Sequence, residues 1–193
     1  PQLSREDVLT AAVYRYLRGR RVDVQAIAAE LGVGRSTIYR WFGSRDGLIG
    51  EAIVAATQPV FAEVCAEAHG VGAAALLDIF DRFNRRLADA PALRQFLEQE
   101  RDAALRIITS SGGTVQPRIV EMICRVIEQE IEAGRYDPPV EPADLAYAIV
   151  RLAEAYLFND AIAGMRGDVD RLRDVEAALL GIPQRRTGAD SPL

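Results

Sequence analysis

The run Arg35-Ser36-Thr37-Ile38-Tyr39-Arg40-Trp41-Phe42 carries more chemistry than any other stretch of the chain. Wound as a helix, it turns Ile38 and Trp41 inward and leaves Arg35, Ser36, Thr37, Tyr39 and Arg40 on the outer face. Guanidinium, hydroxyl and phenol groups form hydrogen bonds suited to a nucleic-acid groove and not to a core. Residues for covalent or metal chemistry are scarce by contrast. Cys65 and Cys124 lie far apart with no Cys-x-x-Cys spacing, and His69 is the sole histidine. That inventory argues against a disulfide framework, a zinc site and a nucleophile–histidine pair. The expectation is a cytoplasmic protein that is not an enzyme and has no catalytic residues, metal or cofactor.

A groove-reading helix needs a second helix to hold it. Asp23 can cap a helix that runs through Ile27 to Leu31, and Gly32 supplies the positive φ that lets the chain leave steeply. Ala28 is small where the second helix must approach, and Ile27, Leu31, Val33, Ile38 and Trp41 are apolar where the two share a core. This is the helix-turn-helix pattern. Upstream, Ser4-Arg5-Glu6-Asp7 reads as a capping box, followed by Val8, Leu9, Ala12, Val13, Tyr16 and Leu17 at helical spacing. Downstream, Ser44 reads as the N-cap of a long helix that reaches about Ala68 with a bend at Pro59. Further helices are expected at about 72–88, 91–110, 117–134, 141–164 and 168–181, with Pro91 and Pro117 in first turns. No segment has a strand period, so the fold class is all-α with about nine helices. The division is residues 1–47 as the helix-turn-helix head, 48–183 as a helical body, which the resemblance described below implies is a ligand-binding and dimerisation domain, and 184–193 as a flexible tail.

Charge follows the same division. All 23 basic residues are arginine. Residues 1–50 hold 8 Arg against 5 Asp and Glu, a net +3, while residues 51–193 hold 15 against 23, a net −8. A basic head on an acidic body fits a DNA reader joined to a domain that does not touch DNA, and speaks against a purely architectural DNA binder. No run of about 18 apolar residues is present, so no membrane span is expected.

Residues 3–50 resemble the DNA-binding domain of TetR-type transcriptional regulators. The carrying stretches are Ile27-Ala28-Ala29-Glu30-Leu31-Gly32-Val33, Thr37-Ile38-Tyr39-Arg40-Trp41-Phe42 and Ser44-Arg45-Asp46-Gly47-Leu48. Trp41 stands where the family often has His, and Gly34 where Ser is frequent. The run from Gly19 to Gln25 with Tyr39-Arg40-Trp41 is most similar to the QsdR subgroup, regulators associated with lactone catabolism. The resemblance implies a recognition helix at about Arg35–Trp41 in the major groove. Arg35, Ser36 and Thr37 would then read base edges, with Tyr39, Arg40, Gln25 and Arg45 at phosphates. On chemistry alone, the alternative for Tyr39 is a packing role, and for Arg40 and Arg45 a solvated charge. The resemblance also implies a homodimer whose last two helices form a four-helix bundle with their mates.

Polar residues that interrupt apolar faces mark candidate ligand contacts, because pockets are mostly apolar with a few polar anchors. Glu100 falls within the face of Leu93, Phe96, Leu97, Ala104 and Ile107. Asn84 borders Leu76, Phe80, Phe83 and Leu87, while Tyr156 and Asn159 lie on the apolar side of their helix. Phe80, Phe83, Asn84, Phe96, Glu100, Tyr156 and Asn159 are therefore the ligand-binding candidates. The alternative for Glu100 is an internal salt bridge to Arg101, Arg106 or Arg151, and for the phenylalanines plain core. Cys65 and Cys124 read as small buried hydrophobes. The function expected is a one-component repressor that binds an inverted-repeat operator and is released by a small hydrophobic effector such as a γ-lactone or acylated lactone. The alternatives are a regulator answering to fatty acids or drugs, and a small-molecule-binding protein or enzyme that has kept a helix-turn-helix.

Overall fold

The computed structural model describes residues 3–158 and 169–183, and holds ten α-helices and no strand among them. The first three helices are α1 (Arg5–Leu17), α2 (Val24–Leu31) and α3 (Arg35–Phe42). Local chemistry sets their ends. The Ser4 hydroxyl accepts the Asp7 N–H while the Asp7 carboxylate accepts the Ser4 N–H, completing the capping box. Asp23 accepts the N–H groups of Gln25 and Ala26, and Gly32 ends α2 at φ 68°. Val8, Ala12, Ile27 and Ile38 are fully buried where the three helices meet. Arg5 lies 4.5 Å over the Phe42 ring and pairs with Glu51, which ties the end of α3 to the next helix.

That helix, α4 (Arg45–Glu67), is the spine of the molecule. Ser44 caps it by accepting the Gly47 N–H. Glycine is needed at 47, because a Cβ there would lie 2.1 Å from the Phe42 carbonyl oxygen. Leu48 to Val54 join the core of the first three helices, whereas Phe61 and Val64 join a second core, with Pro59 between the two groups. By length and composition α4 could cross a bilayer, which revises the expectation of no such segment. Here its apolar side is taken up by packing against α1, α5 (Ala73–Ala88), α7 (Arg101–Thr109) and α8 (Val115–Glu132).

The remaining helices are α6 (Pro91–Gln99), α9 (Pro142–Phe158) and α10 (Val169–Leu179). The single helix expected over 91–110 is two, broken at Glu100 with φ −138° and ψ 51°. Neither Gly nor Pro marks the break; a tertiary ion pair on Glu100 holds it. Ala92 and Leu93 of α6 and Ala104, Ile107 and Ile108 of α7 share one apolar cluster with α1–α3, so the core of the head continues past residue 47. A second cluster joins Phe61, Leu76, Phe80, Phe83, Ile127, Leu145, Ile149 and Leu180. Cys65 and Cys124 are half-buried at its edge and not fully enclosed as expected.

Candidate nucleic-acid interface and buried cavity

Gly34 caps α3 without a side chain, so the Arg35 and Ser36 amides at its first turn keep free N–H groups. Gln25 on α2 and Arg35, Ser36, Tyr39 and Arg40 on α3 are exposed, and Thr37 is half-exposed. None of these six side chains makes a hydrogen bond or ion pair with another described residue. Ile38 and Phe42 are buried behind them and Trp41 is half-buried against the same core. The outcome is a helix with a dry inner side and a continuous outer row of uncommitted donors and acceptors, its N-terminal dipole adding to the pull on phosphate.

Arg45 is placed differently. Its Nε donates to the Val22 carbonyl at 2.8 Å, and its two terminal nitrogens donate to the two oxygens of Glu100 at 2.8 and 2.7 Å. A bidentate, part-buried pair of this kind is a committed contact. The guanidinium expected at phosphate is thus turned into the protein, because the break after α6 brings a carboxylate to it. Glu100 also lies 3.6 Å from Arg21, and Arg45 holds its carboxyl below the ordinary range. Glu100 therefore takes the internal salt bridge, with Arg45 and Arg21 in place of the partners expected. Arg106 pairs instead with Asp46 at 2.9 Å, and Arg151 with Glu154 at 2.6 Å. Two ion pairs thus fasten the first turn of α4 to the α6–α7 corner.

Between α4, α5, α8, α9 and α10 lies a cavity of about 160 Å³, walled almost wholly by apolar side chains. Phe80, Phe83 and Asn84 line it as the sequence led one to expect. Phe96, Glu100 and Tyr156 do not. Phe96 packs edge-on against Tyr16 at 6.2 Å, and with Glu100 it borders a much smaller recess beside the head. Asn159 lies outside the described residues, as do the ends of the expected 141–164 and 168–181 helices and the 184–193 tail. On α9 the wall is made by Ile149, Val150, Ala153, Glu154, Leu157 and Phe158.

Five further polar side chains of the wall were missed: Thr57, Arg86, Gln116, Glu154 and Glu176. Gln116 sits in the first turn of α8, which starts ahead of the expected 117. Glu176 lies one helical turn from both Leu172 and Leu180, the same interruption of an apolar face that drew attention to Glu100. Glu176 is fully buried; its Oε1 accepts the Asn84 Nδ2 N–H at 3.0 Å. Burial pushes its carboxyl up to about 7, against the Asn84 hydrogen bond, and Asp81 pushes the same way. Glu154 is also raised by burial, with the Arg151 pair opposing. Tyr16 and Leu17, the end of α1, form part of the same wall, and Tyr16 borders the smaller recess as well. Among the described residues no cluster of His, Cys, Asp and Glu could hold a metal ion.

Comparison with known proteins matches both halves of this arrangement. Residues 18–52 match the bacterial regulatory proteins of the tetR family, and residues 71–181 match the tetracyclin repressor-like C-terminal domain. The fold superposes on the R. erythropolis transcriptional repressor QsdR from the TetR family with a TM-score of 0.88 and 26% identity, over 95% of this chain and 97% of that one. Thermus thermophilus FadR, a TetR-family repressor solved with lauroyl-CoA, shares the fold at a TM-score of 0.53 and 15% identity, over 98% and 99% of the two chains. No curated protein sequence matches. With its C-terminal family model alone spanning more than half of its length, the chain belongs to the TetR family of bacterial transcriptional regulators.

Proposed function

We propose that the protein is a ligand-responsive repressor that binds an inverted-repeat operator as a dimer and leaves it when a small hydrophobic effector fills the cavity. The observation that carries this reading is one molecule holding both an unpartnered polar face on α3 and an apolar cavity whose wall includes α1 of the DNA-reading head, residues 1–47. Arg35, Ser36 and Thr37 read base edges; Gln25, Tyr39, Arg40 and the free α3 amides hold phosphates. Because two heads must reach successive major-groove faces, roughly 34–36 Å apart, a dimer is required. Residues 48–183 build it through α9 and α10, where Tyr147 and Val175 are exposed apolar side chains.

An effector shifts the equilibrium only if it prefers the non-binding state. The wall supplies a direct route for that preference. Tyr16 faces the cavity on one side and, through Phe96, the recess where Glu100 grips Arg45 on the other. An occupant that displaces Tyr16 or α6 moves the first turn of α4 and with it α3. Similarity to QsdR supports a γ-lactone or acylated lactone as the first effector to try. The test is an anisotropy titration on the DNA upstream of the chain's own gene, at fixed salt, with and without γ-lactones. Specific binding that a lactone releases supports the whole reading. Specific binding that no lactone affects removes the lactone, and absence of specific binding removes the operator assignment.

A further inference from the structure

The connection that leads into α2 is gripped from outside the head. Arg45 Nε donates to the Val22 carbonyl, and the same guanidinium holds both oxygens of Glu100. Arg21 reaches that carboxylate at 3.6 Å, and Gln99 Nε2 donates to the Gly19 carbonyl at 3.4 Å. Asp23, next in the chain, caps α2. The N–H groups of Ala26 and Gln25 hold its carboxyl low against burial, and Arg21 and Arg45 add to that pull. The one ion pair on α2 itself, Glu30 with Arg15 of α1, stays within the head. Gln99 and Glu100, both far past residue 47, therefore fix the start of the helix-turn-helix. Local sequence does not set the corner that carries them. Gln99-Glu100-Arg101-Asp102 has no helix breaker, yet Glu100 lies at φ −138° and ψ 51°. A helix that stops where propensity would carry it on is held by tertiary contacts, and the Glu100 side chain has two, Arg45 and Arg21.

We propose that Glu100 and Arg45 are positioning residues for operator binding: the carboxylate at the α6–α7 break pins the α1–α2 connection to the first turn of α4, and so fixes the one orientation in which α2 and α3 fit a major groove together. Neither side chain touches DNA in this role. Charge alone predicts the opposite. A carboxylate beside a DNA-binding head repels phosphate, and its removal would free Arg45 and Arg21 for the backbone. The two accounts differ in sign, which makes them separable. This inference rests on the reading of α3 as the operator-reading helix, and it makes residues 1–47 an incomplete reader without the α6–α7 corner.

The experiment uses the full chain and a duplex that the wild type selects from a random pool, with a scrambled duplex of the same composition as control. Both are titrated by anisotropy over a salt series. Glu100→Gln should weaken the selected duplex by about tenfold or more, leave the scrambled one unchanged and make the salt dependence no steeper. Arg45→Gln should weaken the selected duplex alike, and the double variant no more than either single, because residues that act as one unit are not additive. Arg45→Lys keeps the charge but not the three-point geometry; it should weaken the selected duplex too, and it takes over if the glutamine variants melt early. Tighter binding by Glu100→Gln, a salt slope steeper by about one per head, additive losses, or losses that only follow the folded fraction in melts of the same samples would overturn the proposal. A wild type that enriches no duplex removes the operator reading and this inference with it. Selection by the wild type followed by an indifferent Glu100→Gln removes this inference alone.

Discussion

On α3, the side chains of Arg35, Ser36, Thr37, Tyr39 and Arg40 face water without a partner, whereas Gln116 Nε2 and Glu176 Oε2 have none among the described residues of the interior. The same missing hydrogen bond means different things in the two places. Water completes the first set at no cost, so the face is ready for DNA without any strain in the fold. The second set is buried, where a polar group left unmet costs about 1–3 kcal/mol. The outer face of α3 is therefore one that stability does not register, whereas Gln116 and Glu176 both bear on it.

Substitutions test that contrast from both sides. The largest effect is expected on DNA: Arg35→Ala should lower specific operator affinity by about 1–3 kcal/mol per half-site, read by anisotropy, with the melting temperature and dimer unchanged. Unchanged operator affinity would remove Arg35 from the base contacts. Next is Glu176, whose carboxyl rises from 4.5 to about 7 on folding. The folded state binds the proton more tightly, so stability at this residue is full below pH 4.5 and falls as pH rises to about 7. Denaturant melts of Glu176→Gln against wild type should show the variant gaining roughly 3 kcal/mol across that window. A pH-independent difference would mean that Glu176 is solvated. Gln116→Leu should then raise stability by about 1 kcal/mol while blunting the effector response, since an unmet donor is replaced by an apolar group. The smallest change is expected from Arg40→Ala, which should reduce the salt slope of operator binding by about one unit per contact and leave sequence preference intact.

Where local chemistry decides, the sequence could be read residue by residue. The Ser4–Asp7 box, the Asp23 cap and the turn at Gly32 all follow from residues close in sequence. The unpartnered outer face of α3 was legible for the same reason: one short helix carries it. The cavity wall draws on eight helices whose relative rotation no periodicity gives, so Phe80, Phe83 and Asn84 emerged while Gln116 and Glu176 did not. Glu100 and Arg45 show the limit most directly. Glu100 was read as a ligand contact or an internal salt bridge and Arg45 as a phosphate contact or a solvated charge, and they find each other across 55 residues. No spacing rule encodes that pair, and it also accounts for the unforeseen break between α6 and α7.

Pro59 gives α4 a mechanical property that its continuous outline hides. Proline brings no N–H, so the Ala55 carbonyl loses its helical rung at the point where the spine passes from one core to the other. A rod with a missing rung flexes there more easily than elsewhere and carries little bending moment, yet still passes a push along its length. The side-chain pairs at the first turn, Arg45–Glu100 and Asp46–Arg106, tie the head end of the spine to Glu100 at the α6–α7 break and to the last turn of α7. Each half of the spine can stay fitted to its own core while the whole shifts as a gear train shifts, by contact.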